Sequence, residues 1–113
     1  LRRRGPVTTH KYGAKKTRID GFAFDSKGEA KRWAELRLLE NAGLISGLER
    51  QVTVQLTAHG KPICKMILDF RYRENGAVVW EDFKGVITPD WRIKQKLFEA
   101  QTGERIRVTG SRK

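Results

Sequence analysis

The sequence predicts an α/β fold of the α+β-like kind, with one mixed sheet flanked by helices. Three observations lead to this prediction: a capped helical segment in the first half of the chain, three strand-like segments in the middle, and a second capped helix before a short apolar segment. The expected order of elements is therefore helix, three strands, helix, strand. A chain of 113 residues suits one domain with room for one active site.

The first predicted element is a helix in the segment "DSKGEAKRWAELRLLENAG". Ser26 is a typical N-cap residue, and Glu29 stands three residues later, as in a capping box. Gly43 supplies the left-handed residue that commonly ends a helix. The segment therefore begins and ends with the residues that favour a helix of this length.

Three strands are predicted in the middle of the chain. Residues 51–58 alternate between apolar and polar side chains, which is typical of a half-buried strand. Residues 63–72 alternate in the same way, and Asn75-Gly76 is a strong signal for a two-residue hairpin turn. Residues 77–84 then form the returning strand, so the three strands are expected to pair as an antiparallel meander.

A second helix and a fourth strand complete the predicted order. Thr88 supplies an N-cap and Pro89 the first helical position, and the helix is expected to run to about Thr102 before Gly103. The short segment 105–108 follows as a strand. Because a helix precedes it, a crossover is available and this strand can pair in parallel with the third one.

The basic residues are concentrated at the two ends of the chain. The formal net charge is +11, and residues 1–18 carry seven bases and no acid, while residues 105–113 carry four bases and no acid. A basic N-terminal arm, residues 1–20, is therefore predicted before a single domain, residues 21–113. Basic ends suit a polyanion such as DNA, because neutralised phosphates release counterions; solvated tails that maintain solubility are the alternative. The basic residues of the arm are Arg2, Arg3, Arg4, Lys11, Lys15, Lys16 and Arg18.

The cysteine and histidine content excludes two classes of small protein. Cys64 is the single cysteine, so a framework of disulfides within the chain is excluded. His10 and His59 are too few to complete a structural zinc site with it. We find no apolar run of membrane-spanning length and no signal peptide, and we therefore expect a reducing, cytoplasmic setting without a membrane partner.

The acidic residues of the predicted hairpin indicate a metal site. A two-residue turn at Asn75-Gly76 pairs position 74 with position 77, which places Asp69 opposite Asp82. Like charges that face each other destabilise a sheet, and Mg²⁺ bound by both carboxylates would compensate them. Lys84 points the same way as Asp82 and would stabilise negative charge on a phosphate. The alternatives are a solvated carboxylate pair at a sheet edge, or a salt bridge from Lys84 to either acid.

Three further charged residues lie near this predicted site along the chain or on one of the two helices. Glu29 is explained by the capping box alone, but it also shares the inward stripe of the first helix with Trp33, and a role in the metal site is the alternative. Lys94, on the second helix, would either approach the phosphate that is cut or remain solvated. Glu81 points away from Asp82 and is expected to be replaceable.

The positions of Glu29, Asp69, Asp82 and Lys84 on this order of elements resemble the PD-(D/E)xK nuclease superfamily, whose restriction-endonuclease-like core has the same order. More narrowly, the segments "YGAKKT", "FDSKGEAKRWAEL", "GLISGLERQ", "LDFRY" and "EDFKG" resemble a phage- and prophage-encoded family of formerly uncharacterised proteins placed in that superfamily. The resemblance spans nearly the whole chain from Tyr12. The sequence departs from the superfamily pattern by a leucine before Asp69 in place of proline, and by aspartate rather than the commoner glutamate at position 82.

The resemblance implies an endonuclease that depends on Mg²⁺ or Mn²⁺. Small basic members with a glutamate in the first helix resemble Holliday-junction resolvases, in which the counterparts of Glu29, Asp69, Asp82 and Lys84 are catalytic. The implied substrate is branched or structured DNA in phage recombination or genome processing, in the cytoplasm of a bacterial host or phage-infected cell. Because symmetric cleavage of a four-way junction needs two active sites, a homodimer is implied. A nicking or restriction-type endonuclease on linear duplex and a non-catalytic DNA-binding accessory protein are the alternatives.

Overall fold

The structure is a computed structural model that describes residues 26–110 in full and residues 17–19 and 22–24 by their backbone. From residue 27 onward the order of elements is helix, three strands, helix, strand, so the predicted α+β architecture is confirmed. The elements are β1 (Thr17–Ile19), β2 (Phe22–Phe24), α1 (Lys27–Asn41), β3 (Ser46–Ala58), β4 (Lys61–Glu74), β5 (Ala77–Phe83), α2 (Pro89–Thr102) and β6 (Ile106–Thr109).

Strands β1 and β2 form a short antiparallel hairpin that the sequence analysis did not predict. Ile19 pairs with Phe22, and the hairpin forms a separate two-stranded sheet. In the sequence, Ile19 and Phe22 are separated by the dipeptide Asp-Gly, which is a common signal for a two-residue hairpin connection. Strand β1 lies inside the segment predicted as a basic arm. The predicted DNA-binding residues from Arg2 to Lys16 lie outside the described residues, and Arg18 is described by its backbone only.

The main sheet has four strands in the order β3-β4-β5-β6. The first two pairs of strands are antiparallel and the last pair is parallel, which α2 permits by crossing over one face. Glu74 pairs with Ala77 across the turn at Asn75 and Gly76, both of which have positive φ. The predicted register of this hairpin is therefore confirmed.

Both long helices begin and end at the residues predicted from the sequence. The Ser26 hydroxyl accepts a hydrogen bond from the backbone N–H of Glu29 at 3.0 Å, and the Thr88 hydroxyl accepts one from Trp91 at 3.3 Å. Gly103, with φ of +74°, ends α2 in the left-handed conformation. These local caps fix where α1 starts, and so which of its residues stand closest to the sheet.

The buried apolar side chains divide into two cores, one under each helix. Trp33 and Leu36 of α1 pack with Phe70 and Tyr72 of β4, whereas Leu68 of β4 packs with α2. The change from one core to the other along β4 falls at Asp69. The second core also contains Leu56, Met66, Trp91, Phe98 and Ile106.

The change of core at Asp69 coincides with an irregularity in the neighbouring strand. Gln51 of β3, which lies between the residues paired with Leu68 and Phe70, has a φ of +56°. A residue other than glycine rarely adopts this conformation, so the regular pleat of β3 is disturbed at Gln51. Asp69 therefore lies where the two cores meet rather than inside either of them.

Among the helices of the described residues, neither α1 nor α2 has both the length and the apolar character needed to cross a membrane.

Candidate functional site

Asp69 and Asp82 lie next to each other on neighbouring strands, as the sequence predicted. Phe70 pairs with Glu81, and Asp69 and Asp82 are the next residues on the two strands. The backbone N–H of Asp69 donates to Asp82 Oδ1 at 3.0 Å, and the backbone N–H of Phe83 donates to Asp69 Oδ2 at 2.8 Å. One oxygen of each carboxylate thus accepts a hydrogen bond from a backbone N–H of the other strand. The second oxygen of each carboxylate is not used in these two bonds.

Lys84 contacts the second oxygen of Asp82. Its Nζ lies 3.2 Å from Asp82 Oδ2 and 5.3 Å from the centroid of the Trp91 ring. Asp82 is buried, with 1% of its surface exposed, and within the described part of the chain its Oδ2 accepts no hydrogen bond. The contact with Lys84 is therefore an ion pair without hydrogen-bond geometry. The salt bridge that the sequence left open as an alternative is present.

Glu29 faces the same site from α1. It is buried, with 7% of its surface exposed, and its backbone N–H is bound by the Ser26 hydroxyl. With Asp69 and Lys84 it lines a cavity of about 430 Å³, whose remaining lining residues are Ser26, Gly28, Phe83 and Gly85. The backbone of Glu29 therefore serves the helix cap while the residue also lines the cavity, so the two roles considered for it are compatible.

The ionisation of Asp69 is disfavoured by its burial and by the neighbouring carboxylates. Burial, followed by the negative charge of Asp82, raises the pKa of Asp69 to about 8, and the charge of Glu29 acts in the same direction. The hydrogen bond from Phe83 opposes this shift. The protonated form of Asp69 is therefore favoured near neutral pH in the metal-free protein, and a bound metal ion would favour release of the proton.

Two carboxylates, those of Asp69 and Asp82, are enough protein ligands for a Mg²⁺ site. Within residues 26–110, no group of three or more His, Cys, Asp or Glu side chains is arranged to hold a metal ion, so Glu29 does not join Asp69 and Asp82 in one ligand cluster. Mg²⁺ commonly takes one or two carboxylates and completes its shell with water and phosphate oxygens. The buried Asp82 Oδ2, which accepts no hydrogen bond from the described residues, is a suitable ligand atom.

The structure does not support the expectation that Glu81 is replaceable. Glu81 points to the face opposite Asp82, but this face is covered by α1 and its side chain is fully buried. Its carboxylate accepts hydrogen bonds from Arg32 Nε at 2.6 Å and Arg32 Nη2 at 3.0 Å. It also accepts hydrogen bonds from the Tyr72 hydroxyl at 2.5 Å and the Thr109 hydroxyl at 3.1 Å. Four donors from three other elements therefore satisfy this one carboxylate.

The buried Glu81 connects the elements that carry the site. Arg32 follows Glu29 by three residues on α1, and Glu81 directly precedes Asp82 on β5. Burial opposes ionisation, but the hydrogen bonds from Arg32 and Tyr72 leave the pKa of Glu81 lowered. The sequence signal for the pair of Glu81 and Arg32 was an acid that shares a strand face with the apolar residues Val79 and Phe83. The pattern of residues near Glu81 did not indicate which base would pair with it.

The ring of Phe83 fixes the backbone between Asp82 and Lys84. A β-carbon placed on Gly28 would lie 2.4 Å from this ring, and a β-carbon on Gly110 would also lie 2.4 Å from it. The ring is therefore enclosed by two glycines, one in the first turn of α1 and one after β6. Glycine at position 28 permits α1 to approach the strand that carries both Asp82 and Lys84.

The second helix contributes less to this cavity than the sequence suggested. Lys94 is half-buried on α2 and is not among the residues that line the cavity. Gln95 accepts a hydrogen bond from Arg92 and donates one to Glu99 on the same helix. Contact of Lys94 with a phosphate remains a prediction. At the C-terminal end, Arg107 bonds the Tyr72 hydroxyl and Glu74, so this base stabilises the sheet.

The sequence matches a family model described as "Protein of unknown function (DUF1064)" over residues 9–112. The match includes all four residues predicted to be catalytic. No curated protein and no solved structure gave a significant match.

Proposed function

Because the chain belongs to this family, whose description names no activity, we propose from the site itself that the protein is a Mg²⁺-dependent DNA endonuclease of the PD-(D/E)xK type. The observation that carries the proposal is the arrangement of Asp69, Asp82 and Lys84. Two carboxylates from adjacent strands lie side by side, and an ammonium group contacts one of them at 3.2 Å. This arrangement lies beside an open cavity that Glu29 also lines.

The residues of the site have separate roles in the proposed reaction. Asp69 and Asp82 would hold Mg²⁺, and the bound cation would supply Lewis-acid polarisation of the phosphodiester and a more acidic water. The Lys84 ammonium, held between Asp82 and Trp91, places positive charge where negative charge develops on the phosphoryl group. Glu29, which lines the same cavity from α1, would orient a water or accept its proton.

The charge of the chain supports a nucleic acid as the substrate. The net charge is +11, and it comes from the two ends of the chain, residues 1–18 and 105–113, which would contact phosphates on either side of a site in an otherwise neutral domain. Contacts between basic side chains and phosphates fix the position of a protein on DNA without reading the base sequence. Such contacts suit the recognition of a branched or structured substrate. For a four-way junction the proposal includes a homodimer, since one chain supplies one site.

Cleavage of a labelled four-way junction in the presence of Mg²⁺ tests the proposal. We expect the wild type to cut the junction and Lys84→Ala to bind it without cutting. Lys96→Ala is the matched control, because Lys96 is an exposed lysine on α2 and does not line the cavity. Binding without cleavage by the wild type, unchanged by Mg²⁺, would instead identify a non-catalytic DNA-binding protein.

A matched linear duplex of the same sequence separates the two nuclease alternatives. Preferential cutting of the junction, by a protein that is dimeric in light scattering, supports the resolvase form of the proposal. Equal or better cutting of the linear duplex by a monomer supports the nicking or restriction-type form.

A further inference from the structure

The hairpin of β3 and β4 extends beyond the rest of the sheet. Strand β5 pairs with residues 70–74 of β4, so in the described part of the chain residues 61–69 pair with β3 alone. The result is a two-stranded ribbon that continues from Asp69 to the turn at His59 and Gly60. One strand of the ribbon therefore ends in the candidate site.

The two faces of this ribbon have different surroundings. Apolar side chains of one face, Leu56, Met66 and Leu68 among them, are buried in the core beneath α2. The other face is exposed, and we refer to it as the ribbon face; it comprises Thr53, Gln55, Ile63, Lys65 and Ile67. Ile63 is 51% exposed and Ile67 is 56% exposed, which is unusual for two large apolar side chains on one strand face.

The ribbon has a uniform sign of charge. Residues 50–68 contain no aspartate or glutamate, while Arg50, Lys61 and Lys65 are basic. By contrast, residues 19–104 as a whole carry equal numbers of acids and bases. A polyanion that lies along the ribbon would therefore meet no repulsive carboxylate before it reaches Asp69.

A second copy of the chain fits the ribbon face poorly. Lys65 stands between Ile63 and Ile67 on this face, and Thr53 pairs with Ile67 across the ribbon. In a two-fold contact the same patch lies on both sides, so the Lys65 ammonium groups of the two copies would be brought together without a carboxylate from either ribbon face. The apolar area of two isoleucines is also small for a stable protein interface.

We propose that the ribbon face docks into a groove of duplex DNA on one side of the cleaved phosphate. The major groove is wide enough for a two-stranded β-ribbon. Lys61 and Lys65 neutralise phosphates, Thr53 contacts polar groups in the groove, and the two isoleucines contact sugars and thymine methyl groups. This proposal rests on the proposed function for the location of the cleaved phosphate, but DNA binding by the ribbon is measured independently of cleavage.

Binding of a labelled duplex in EDTA, where Mg²⁺-dependent cutting is prevented, tests the ribbon face. For Lys65→Glu we expect affinity to fall about tenfold and the dependence of log affinity on log salt to lose about one unit or more. The double variant Ile63→Ser, Ile67→Ser should also bind more weakly, with an unchanged circular dichroism spectrum. Lys96→Glu and Leu38→Ser are the matched controls, because both residues are exposed elsewhere on the surface.

The outcomes separate failure of this inference from failure of the proposed function. Ribbon variants that bind DNA as well as their controls would overturn the ribbon proposal, even if the wild type cuts DNA. A wild type that binds through the ribbon but cuts nothing would overturn the nuclease proposal alone. Conversion of a dimer to a monomer by the isoleucine changes, with DNA binding intact, would show that the face contacts a second copy and not DNA.

Discussion

The backbone N–H of Asp69 donates a hydrogen bond to Asp82 Oδ1 at 3.0 Å. This bond joins a backbone group of β4 to a buried carboxylate of β5, at the end of the paired region of the two strands. The side chain of Asp82 is therefore part of the fold as well as part of the candidate site, and substitutions there must be chosen to separate the two roles.

Substitution Asp82→Asn is expected to abolish cleavage without loss of stability. The amide oxygen can still accept the Asp69 N–H, and the removal of one buried negative charge beside Asp69 offsets the loss of the ion pair with the partly exposed Lys84. Cleavage should fall by about a hundredfold or more, since a group in direct contact with the reacting centre is lost. Thermal unfolding in EDTA should show a melting temperature equal to or above that of the wild type. A large loss of stability would contradict this assignment.

The stability of the metal-free protein is expected to fall as the pH rises from about 4 to about 8. Folding raises the pKa of Asp69 from 3.8 to about 8, because the residue is buried beside Asp82. In this range the unfolded chain releases the proton while the folded protein keeps it, so the free energy of unfolding decreases as the pH rises. Thermal melts in EDTA across this range measure the effect. In Asp69→Asn the corresponding slope should be smaller.

The stabilisation of the protein by added Mg²⁺ is expected to increase with pH, whereas the stability of the metal-free protein decreases. Binding to Asp69 requires release of the proton, so stabilisation by Mg²⁺ is expected to be larger at pH 8 than at pH 6. The shift in melting temperature on addition of Mg²⁺ at the two pH values tests this, with Asp69→Asn as the control. An equal shift in the variant would show that Mg²⁺ acts elsewhere on the protein.

Substitution Glu81→Gln is expected to destabilise the protein by about 3 kcal/mol, because it removes the buried charge that pairs with Arg32. Denaturant unfolding measures this free energy. The matched control is Glu35→Gln, since Glu35 contacts the same Arg32 at 3.2 Å but its side chain is 48% exposed. The control should change the free energy of unfolding by about 0.5 kcal/mol or less. Equal effects of the two changes would show that Glu81 has no special role.

Substitution Gly28→Ala is expected to be destabilising although alanine favours helices. Its β-carbon would lie 2.4 Å from the Phe83 ring, which Gly110 confines on another side. We expect a cost of about 1 to 3 kcal/mol, as for overpacking elsewhere, together with lower cleavage because Phe83 lies between Asp82 and Lys84. Gly85→Ala is the control for stability, because a β-carbon there meets no atom within 4 Å. A stabilised Gly28→Ala variant would contradict the packing described for Phe83.

The sequence by itself determined the order of elements and the meeting of Asp69 with Asp82. Ser26 and Thr88 cap the helices through bonds to residues three positions later, and Asn75-Gly76 sets the hairpin register. These are local rules, in which the interacting residues are close along the chain or are related by a short turn. Once the register is known, the facing residues of the two strands follow by counting.

Only the tertiary structure decided the surroundings of Glu81, the position of Phe83 and the exposure of the ribbon face. Glu81 and Arg32 are 49 residues apart, and the ring of Phe83 is enclosed by glycines from opposite halves of the chain. Alternation along β5 showed that Glu81 points away from Asp82, but it carried no information on what covers that face. The cover comes from the packing of α1 against the sheet, and such packing depends on the whole core and not on neighbouring residues in sequence.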